Sequence, residues 1–343
     1  MILVFGAAGY LGYKYALPWW QTKPPPPSGG ELRLYVLDVG PIHGDSILIV
    51  SPEGTSVLVD AGDTGKGKVV LEALKRHNIT QLDYFIGTHP HPDHIGGAAE
   101  VLNGIKILNV IDNGLPPTKP SASPAAISKA TKFHVDYREA INRSGARYQK
   151  AVPDTQYFIG AGVRLTILGP TEPLFTTDQL KTGGNEPNAN SVVVRLDYGA
   201  FSMLLPGDAE EQTEHRMVSR DLDLRARILK VAHHGSKYAT SQDFINRVRP
   251  EVAIISCGAW NRYGHPSQEV LERLKAANVT LYRTDLHGEI GITTRGRGND
   301  YSIKTAKEAG ADLWTGRKGQ KDDSARSGFI AYGDFGPPPK QSK

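Results

Sequence analysis

The sequence predicts an α/β fold in a single core domain, and three observations carry that expectation. Short β-branched runs bounded by Gly, Pro and Asp recur along the chain, the pattern of strands separated by turns. Amphipathic stretches with helical spacing fall between them, so the two element types are mixed rather than segregated. The 343 residues are 39% hydrophobic and 22% charged and show no tandem repeat, the balance of an ordinary globular protein with a sizeable core.

The elements follow in order. The N-terminus is apolar from Ile2 to Tyr13 and is then interrupted by Lys14. A run of about 12 apolar residues suits a signal-peptide core better than a spanning helix. Trp19 and Trp20 suit a membrane interface, and four prolines (24–27) make a stiff spacer. Residues 1–30 are therefore expected to be a signal-like or anchor segment with a Pro-rich linker. That places the protein outside the cytoplasm, as a secreted, periplasmic or membrane-anchored chain. No basic residues precede the apolar run and no clean cleavage site follows it. If it is only a frayed terminus, the location is cytoplasmic.

From residue 31 a strand meander is expected at Leu34–Gly40, Ser46–Val50 and Ser56–Asp60, followed by a helix at Lys68–His77 and a strand at Asp83–Gly87. A surface helix is expected over Ser123–Asn142. Further strands are read at Val163–Leu168, Ser191–Leu196, Phe201–Leu205, Ile228–Val231 and Val252–Ile255, with helices at Ala209–Val218, Ser241–Arg247 and Ser267–Ala276. Val279–Tyr282, Glu289–Thr294 and Tyr301–Lys304 close a domain spanning 31–305. Residues 306–343 turn Gly-, Lys- and Asp-rich and read as a disordered tail, with Trp314, Phe329, Tyr332 and Phe335 as docking points.

Forty Lys+Arg against 36 Asp+Glu leave a net charge of +4, too mild to mark a nucleic-acid binder. The lone Cys257 excludes an intramolecular disulfide and a thiolate metal cluster, so nitrogen and oxygen must hold any metal. Attention falls on the 11 histidines. The segment Gly87–Gly97 reads GTHPHPDHIGG and places His89, His91, Asp93 and His94 within six residues, directly after an apolar strand. Side chains two apart in an extended turn can point the same way, so His89 and His91 can grip one ion while Asp93 and His94 face a second. The prolines stiffen the turn, and Gly96 and Gly97 let the next helix start close to it. Imidazole and carboxylate donors suit two Zn²⁺ ions and also admit Mn²⁺ or Fe. A water bridging such ions would have its pKa lowered towards ~7 and serve as the nucleophile.

This H-x-H-x-D-H signature resembles the metallo-β-lactamase superfamily, and Asp60–Gly62 matches its early Asp-x-Gly turn. Within it the chain is similar to the extracytoplasmic domain of ComEC-type competence proteins. The matches are Asp38–Gly40 with Gly44–Ser46, the histidine segment, Asn190–Ser191, Pro206–Asp208, Val231–Lys237 (VAHHGSK), Asn261–Ser267 (NRYGHPS) and Tyr282–Asp285 (YRTD). They cover nearly the whole core in the same order. Two features depart from that family: Pro41, Ile42 and His43 stand where it carries a single Gln, and its membrane channel has no counterpart here. The expectation is its soluble domain standing alone.

The resemblance implies an αββα sandwich with a one- or two-metal site at one edge. It makes Asp60 architectural and Asp208 the carboxylate bridging both ions. The superfamily's third histidine is missing, because the corresponding stretch is Glu186–Ser191 (EPNANS). His233 is assigned to complete the first shell with His234 donating to a substrate oxygen, slightly ahead of the reverse. His265 then completes the second shell with Asp93, His94 and Asp208. His77, His134 and His215 read as surface or capping residues, as do His43 and His287, though loops could bring these last two near the site.

Ser236, Lys237, Asn261 and Arg262 are the expected substrate contacts, with Thr240, Ser241 and Arg283 nearby. Hydroxyls and cations around a dinuclear site favour an anionic substrate, most simply a phosphodiester. The resemblance implies nuclease or phosphodiesterase chemistry with DNA as one such substrate, but only Trp260 and Tyr263 could stack bases near the site. Competing readings are lactone or β-lactam opening, a phosphorylcholine-ester hydrolase, and a binding module without turnover. No protein partner is inferable; association with a membrane would run through the N-terminus.

Overall fold

The computed structural model describes residues 29–41, 44–117, 124–180, 186–261, 263–298 and 300–317. The signal-like segment (1–28), His43, Arg262, Phe329, Tyr332 and Phe335 lie outside these residues. No helix among the described residues is long and apolar enough to cross a membrane.

Two mixed sheets stack face to face. The first contains β1 (Leu32–Val36), β2 (Ile47–Val50), β3 (Ser56–Val59), β4 (Gln81–Gly87), β5 (Lys106–Asp112), β6 (Arg147–Lys150), β14 (Ile290–Thr294) and β15 (Ser302–Thr305), in the order β15-β14-β1-β2-β3-β4-β5-β6. The second contains β7 (Gln156–Gly160), β8 (Val163–Gly169), β9 (Val193–Tyr198), β10 (Phe201–Leu205), β11 (Ile228–Lys230), β12 (Val252–Ile255) and β13 (Thr280–Arg283), in the order β13-β12-β11-β10-β9-β8-β7. Strands β3 to β6 run parallel to one another, as do β10 to β13; the other pairings are antiparallel.

Alternation along these strands separates two apolar surfaces per sheet. Leu34, Ile49, Val57 and Ile86 face Leu165, Val194, Met203 and Ile254 across the central core. On the outer side of the first sheet, Leu48, Leu58, Phe85 and Val110 pack on α1 (Gly67–Arg76), α3 (Ala98–Gly104) and α4 (Pro124–Ser144) through Val70, Leu74, Val101, Tyr137 and Ile141. Outside the second sheet, Leu204 and Leu229 pack on Met217 of α6 (Glu211–Ser219) and Phe244 and Val248 of α7 (Gln242–Val248). Ala253, Ile255 and Leu281 meet Leu271 and Leu274 of α8 (Gln268–Ala276). The layers are helix, sheet, sheet, helix, the expected αββα sandwich. Each buried aliphatic side chain adds roughly 1.5–3 kcal/mol. Three short helices lie near the site: α2 (Pro92–Ile95), α5 (Glu186–Ala189) and α9 (Thr284–His287).

Three strands were not anticipated. β6 (RYQK) and β7 (QYFIG) lie at sheet edges and are largely polar or exposed, while β5 begins with an exposed lysine. The ordered fold also continues past residue 305. Leu313 and Trp314 pack on the α8–β13 core, Arg283 donates to the carbonyls of Leu313 and Thr315 at 2.8 Å, and the Arg317 amide donates to the Pro266 carbonyl at 3.0 Å. Docking through Trp314 thus turns the first part of the expected tail into part of the domain.

Candidate metal centre

The C-terminal ends of the parallel strands meet at one edge of the sandwich, and every residue of the centre issues from them. β3 ends on Asp60, β4 on Thr88 and the histidine segment, β10 on Pro206, Gly207 and Asp208, and β11 on the turn Ala232–Gly235. The N-terminus of α3 lies so close to the Asp60–Gly62 turn that a Cβ on Gly97 would collide with the Ala61 carbonyl oxygen.

Two groups of donors result. His89, His91 and Asp208 form one, with their ligating atoms within 4.8 Å of one another; Asp93, His94, Asp208 and His234 form the other. Asp208 belongs to both. Its Oδ2 lies 3.7 Å from His89 Nε2, while its Oδ1 lies 3.1 Å from His94 Nε2 and 3.7 Å from His234 Nε2. Each oxygen therefore addresses a different group.

The second group is held from behind. His94 Nδ1 lies 2.7 Å from Asp60 Oδ2, and Asp60 in turn accepts from the Thr88 amide at 2.8 Å and from its hydroxyl at 2.7 Å. His234 Nδ1 donates to the Ser256 carbonyl at 2.9 Å and lies 3.3 Å from Asp45 Oδ1. Such contacts set ring orientation and leave both Nε2 atoms facing inward. Lys230, also fully buried, pairs with Asp45. The roles of Asp45 and Lys230 went unread: Asp45 sits inside a motif, and Lys230 inside an apolar strand.

Electrostatics follow from burial and proximity. Burial works against charge on His94, but the carboxylates of Asp208 and Asp60 outweigh it and hold its pKa well above the usual value. His234 is likewise opposed by burial and lifted by Asp208 and Asp45, to about 10. Burial drives His89 well below its ordinary value and His233 down to about 4. Burial would raise Asp208, yet the imidazoles of His94, His233 and His234 hold it well below the carboxylate range. A divalent cation suits this surplus of carboxylate and inward-facing imidazole. His94 Nε2 and Asp208 Oδ1 are both buried and, although only 3.1 Å apart, make no well-aligned hydrogen bond, so each is free to turn to a shared cation. The donor set therefore fits a metal.

His233 and His265 belong to neither group. His233 and His234 both adopt left-handed backbone (φ 50° and 52°), and this double kink turns their rings apart. His234 goes inward. His233 keeps a part-exposed ring 3.6 Å from Asp208 Oδ2 and 3.6 Å from Glu210 Oε1, so the geometry favours the reverse of the preferred assignment. His265 stacks on Tyr263 (centroids 5.8 Å) and lies 5.4 Å from the His233 ring, outside the second group that it was expected to complete. The two turns touch: a Cβ on Gly235 would lie 2.7 Å from Pro266 Cβ.

A cavity of about 400 Å³ opens over both groups, lined by His233, Ser236, Lys237, Tyr238, Tyr263 and His265. Ser236 and Lys237 are therefore where substrate contacts were expected. Asn261 is not: it is buried, its amide donates to the carbonyls of Gly258 and His265, and its oxygen accepts from the His265 amide at 2.7 Å. Arg283 is also spent internally, paired with Asp285 at 2.8 Å. Thr240 accepts from the Ala232 amide and Ser241 caps α7. His287 accepts from the Arg283 amide at 3.0 Å, and His77 lies 2.8 Å from Glu289, so both are structural. The loop carrying Ser236 and Lys237 is pinned by the buried Glu214 and the half-buried Arg273. Glu214 accepts from the Thr240 and Ser241 amides, and Arg273 donates to the carbonyls of Lys237, Ala239 and Thr240.

With this geometry in hand, comparison with known proteins identifies the family. Residues 39–259 match the metallo-beta-lactamase superfamily. ComE operon protein 3 of Bacillus subtilis (strain 168) is 30% identical over 294 residues, covering 80% of this chain and 34% of that protein. Recombination protein 2 of Haemophilus influenzae is 30% identical over 261 residues (75% and 28%), and competence protein ComA of Neisseria gonorrhoeae is 26% identical over 285 residues (82% and 34%). The chain spans about a third of the length of these relatives. With the αββα layers, the Asp208-centred donor groups and a match over most of its core, the chain belongs to the metallo-beta-lactamase superfamily.

Proposed function

We propose that this chain is a dinuclear-metal-dependent phosphodiesterase acting as a nuclease. One observation carries the reading: the cavity over the donor groups is walled by hydrogen-bond donors and a lysine, which suit a phosphate better than an acyl chain. His89, His91 and Asp208 would hold one ion, and Asp93, His94, Asp208 and His234 the other. Zn²⁺ or Mn²⁺ bound there would supply a water of lowered pKa and positive charge against the negative charge that develops on the phosphate.

The chain's own residues do the rest. His233, kept neutral by burial, can donate an N–H to a non-bridging phosphate oxygen while Glu210 orients its ring. Ser236 offers a hydroxyl and Lys237 a charge on the same wall. Glu214 and Arg273 set that wall in place before substrate arrives, which spares the ordering cost on binding. Tyr238 and Tyr263 are exposed at the rim, where a base or other ring could stack. Relatives named for competence and recombination agree with DNA as the polymer carrying the diester. The expected location outside the cytoplasm, through residues 1–30, belongs to the same proposal.

The test is hydrolysis of bis(p-nitrophenyl) phosphate and of DNA by Zn²⁺- or Mn²⁺-loaded protein. Asp208→Ala and His91→Ala should abolish turnover while circular dichroism stays unchanged. Wild-type protein that is inert on both substrates yet opens a lactone overturns the reading.

A further inference from the structure

The first donor group offers three protein atoms, from His89, His91 and Asp208, which with a water would make a four-coordinate ion and leave room for one further protein ligand. His233, the residue expected to complete it, stands 3.6 Å from both Asp208 Oδ2 and Glu210 Oε1 and belongs to neither donor group. Another side chain is better placed. Asn188 is 2% exposed and lines the same cavity as His91 and Asp208. It sits on α5, which is rigidly mounted: Asn190 donates to the carbonyls of Phe175 and Glu186, and Thr213 donates to the Ala189 carbonyl at 2.7 Å.

The orientation of the Asn188 amide is settled by its neighbour. Nδ2 donates to Glu210 Oε1 at 3.2 Å, and an ionised carboxylate can only accept. The nitrogen must therefore face Glu210, which leaves Oδ1 on the opposite side. That oxygen is buried and has no hydrogen-bond partner. A carbonyl buried without a partner destabilises the fold, so its position beside a donor group calls for a ligand.

We propose that Asn188, through its carboxamide oxygen, is the fourth protein ligand of the ion held by His89, His91 and Asp208. The proposal rests on the reading of this site as a metal centre. It makes the first shell two imidazoles and two oxygens, a harder set than three imidazoles and a carboxylate. That set moves preference from Zn²⁺ towards Mn²⁺. Glu210 is then the residue that fixes the amide's direction.

Metal-free full-length protein is titrated with Mn²⁺, followed by the electron paramagnetic resonance of the free ion, and with Zn²⁺ by calorimetry. Wild type should bind two ions. Asn188→Ala should weaken one of them by at least about tenfold and leave the other unchanged. Asn188→His should restore tight binding and raise the Zn²⁺/Mn²⁺ affinity ratio by about tenfold. Asn188→Asp, which keeps an oxygen at the same reach, should retain both ions. Unchanged affinities in Asn188→Ala overturn the proposal. So does equal loss in the Ala and Asp variants, or an unshifted metal ratio in Asn188→His, a comparison that decides the matter even if the Ala variant does not fold. Wild-type protein that binds two ions but leaves phosphodiesters intact would sink the phosphodiesterase reading alone.

Discussion

Replacing Lys230 by Met probes the charge network behind the centre. The ammonium of Lys230 and the carboxylate of Asp45 are 1% and 3% exposed, and Lys230 also lies 3.4 Å from the Gly207 carbonyl beside Asp208. Burial alone would push the Asp45 carboxyl up; Lys230 and the imidazoles of His234 and His94 overcome that and hold it well below the carboxylate range. Lys230→Met keeps most of the side chain's volume and strips Asp45 of its principal counter-charge, leaving only the imidazoles of His234 and His94. Removing one partner of such a pair costs about 3–5 kcal/mol. A domain of this size loses roughly 2–4 °C of Tm per kcal/mol, so melting should fall by about 6–20 °C. Asp45→Asn in the same chain removes the stranded charge, and the double variant should recover more than half of the loss. The assay is thermal unfolding of the metal-free wild type, both single variants and the double variant at pH 7.5. A Lys230→Met protein melting within about 2 °C of wild type refutes the reasoning, as does strict additivity of the two substitutions.

Two further outcomes follow from other parts of the network. Asp60→Asn swaps an acceptor for a donor at His94 Nδ1, so the ring loses its anchor, and affinity for the second ion should fall about 10–100-fold in competition with a chromophoric chelator. Burial raises Glu214 from 4.5 to about 7, so between those values the folded chain binds more protons than the unfolded one, and this stabilising share is lost as pH rises through the window. It amounts to about 3 kcal/mol, and melts at pH 5, 6, 7 and 8 should show Glu214→Gln gaining on wild type as pH rises, whereas parallel curves would exclude the effect.

Local order made part of the centre readable. His89, His91, Asp93 and His94 lie within six residues behind a strand, so one turn suffices to divide them between two ions. Asp208 was legible only through the resemblance, from the motif Pro206–Asp208 that follows a buried strand. The assignment of His233 and His234 was not. Neighbouring residues carry equal evidence, and the choice depends on two left-handed backbone positions together with the Ser256 carbonyl and Asp45, which lie far away in the chain. Asn261 looked like a substrate contact because a polar residue in a loop has no visible partner until the loop closes on itself. Asn188 was passed over because an amide becomes a candidate ligand only once Glu210 has taken its nitrogen.

Composition and order in the chain were enough to establish an α/β fold, a nitrogen–oxygen donor set and the histidine segment, and the family resemblance added the sandwich. The first three depend on side-chain periodicity and on residues a few positions apart, which the polypeptide's local geometry ties together. The partition of the remaining donors depended on folding. Lys230, Asp45, Asn188 and Glu210 acquire their roles only when strands from both sheets end at one edge. There, burial makes every unpaired charge or carbonyl costly and so determines which atom each must face.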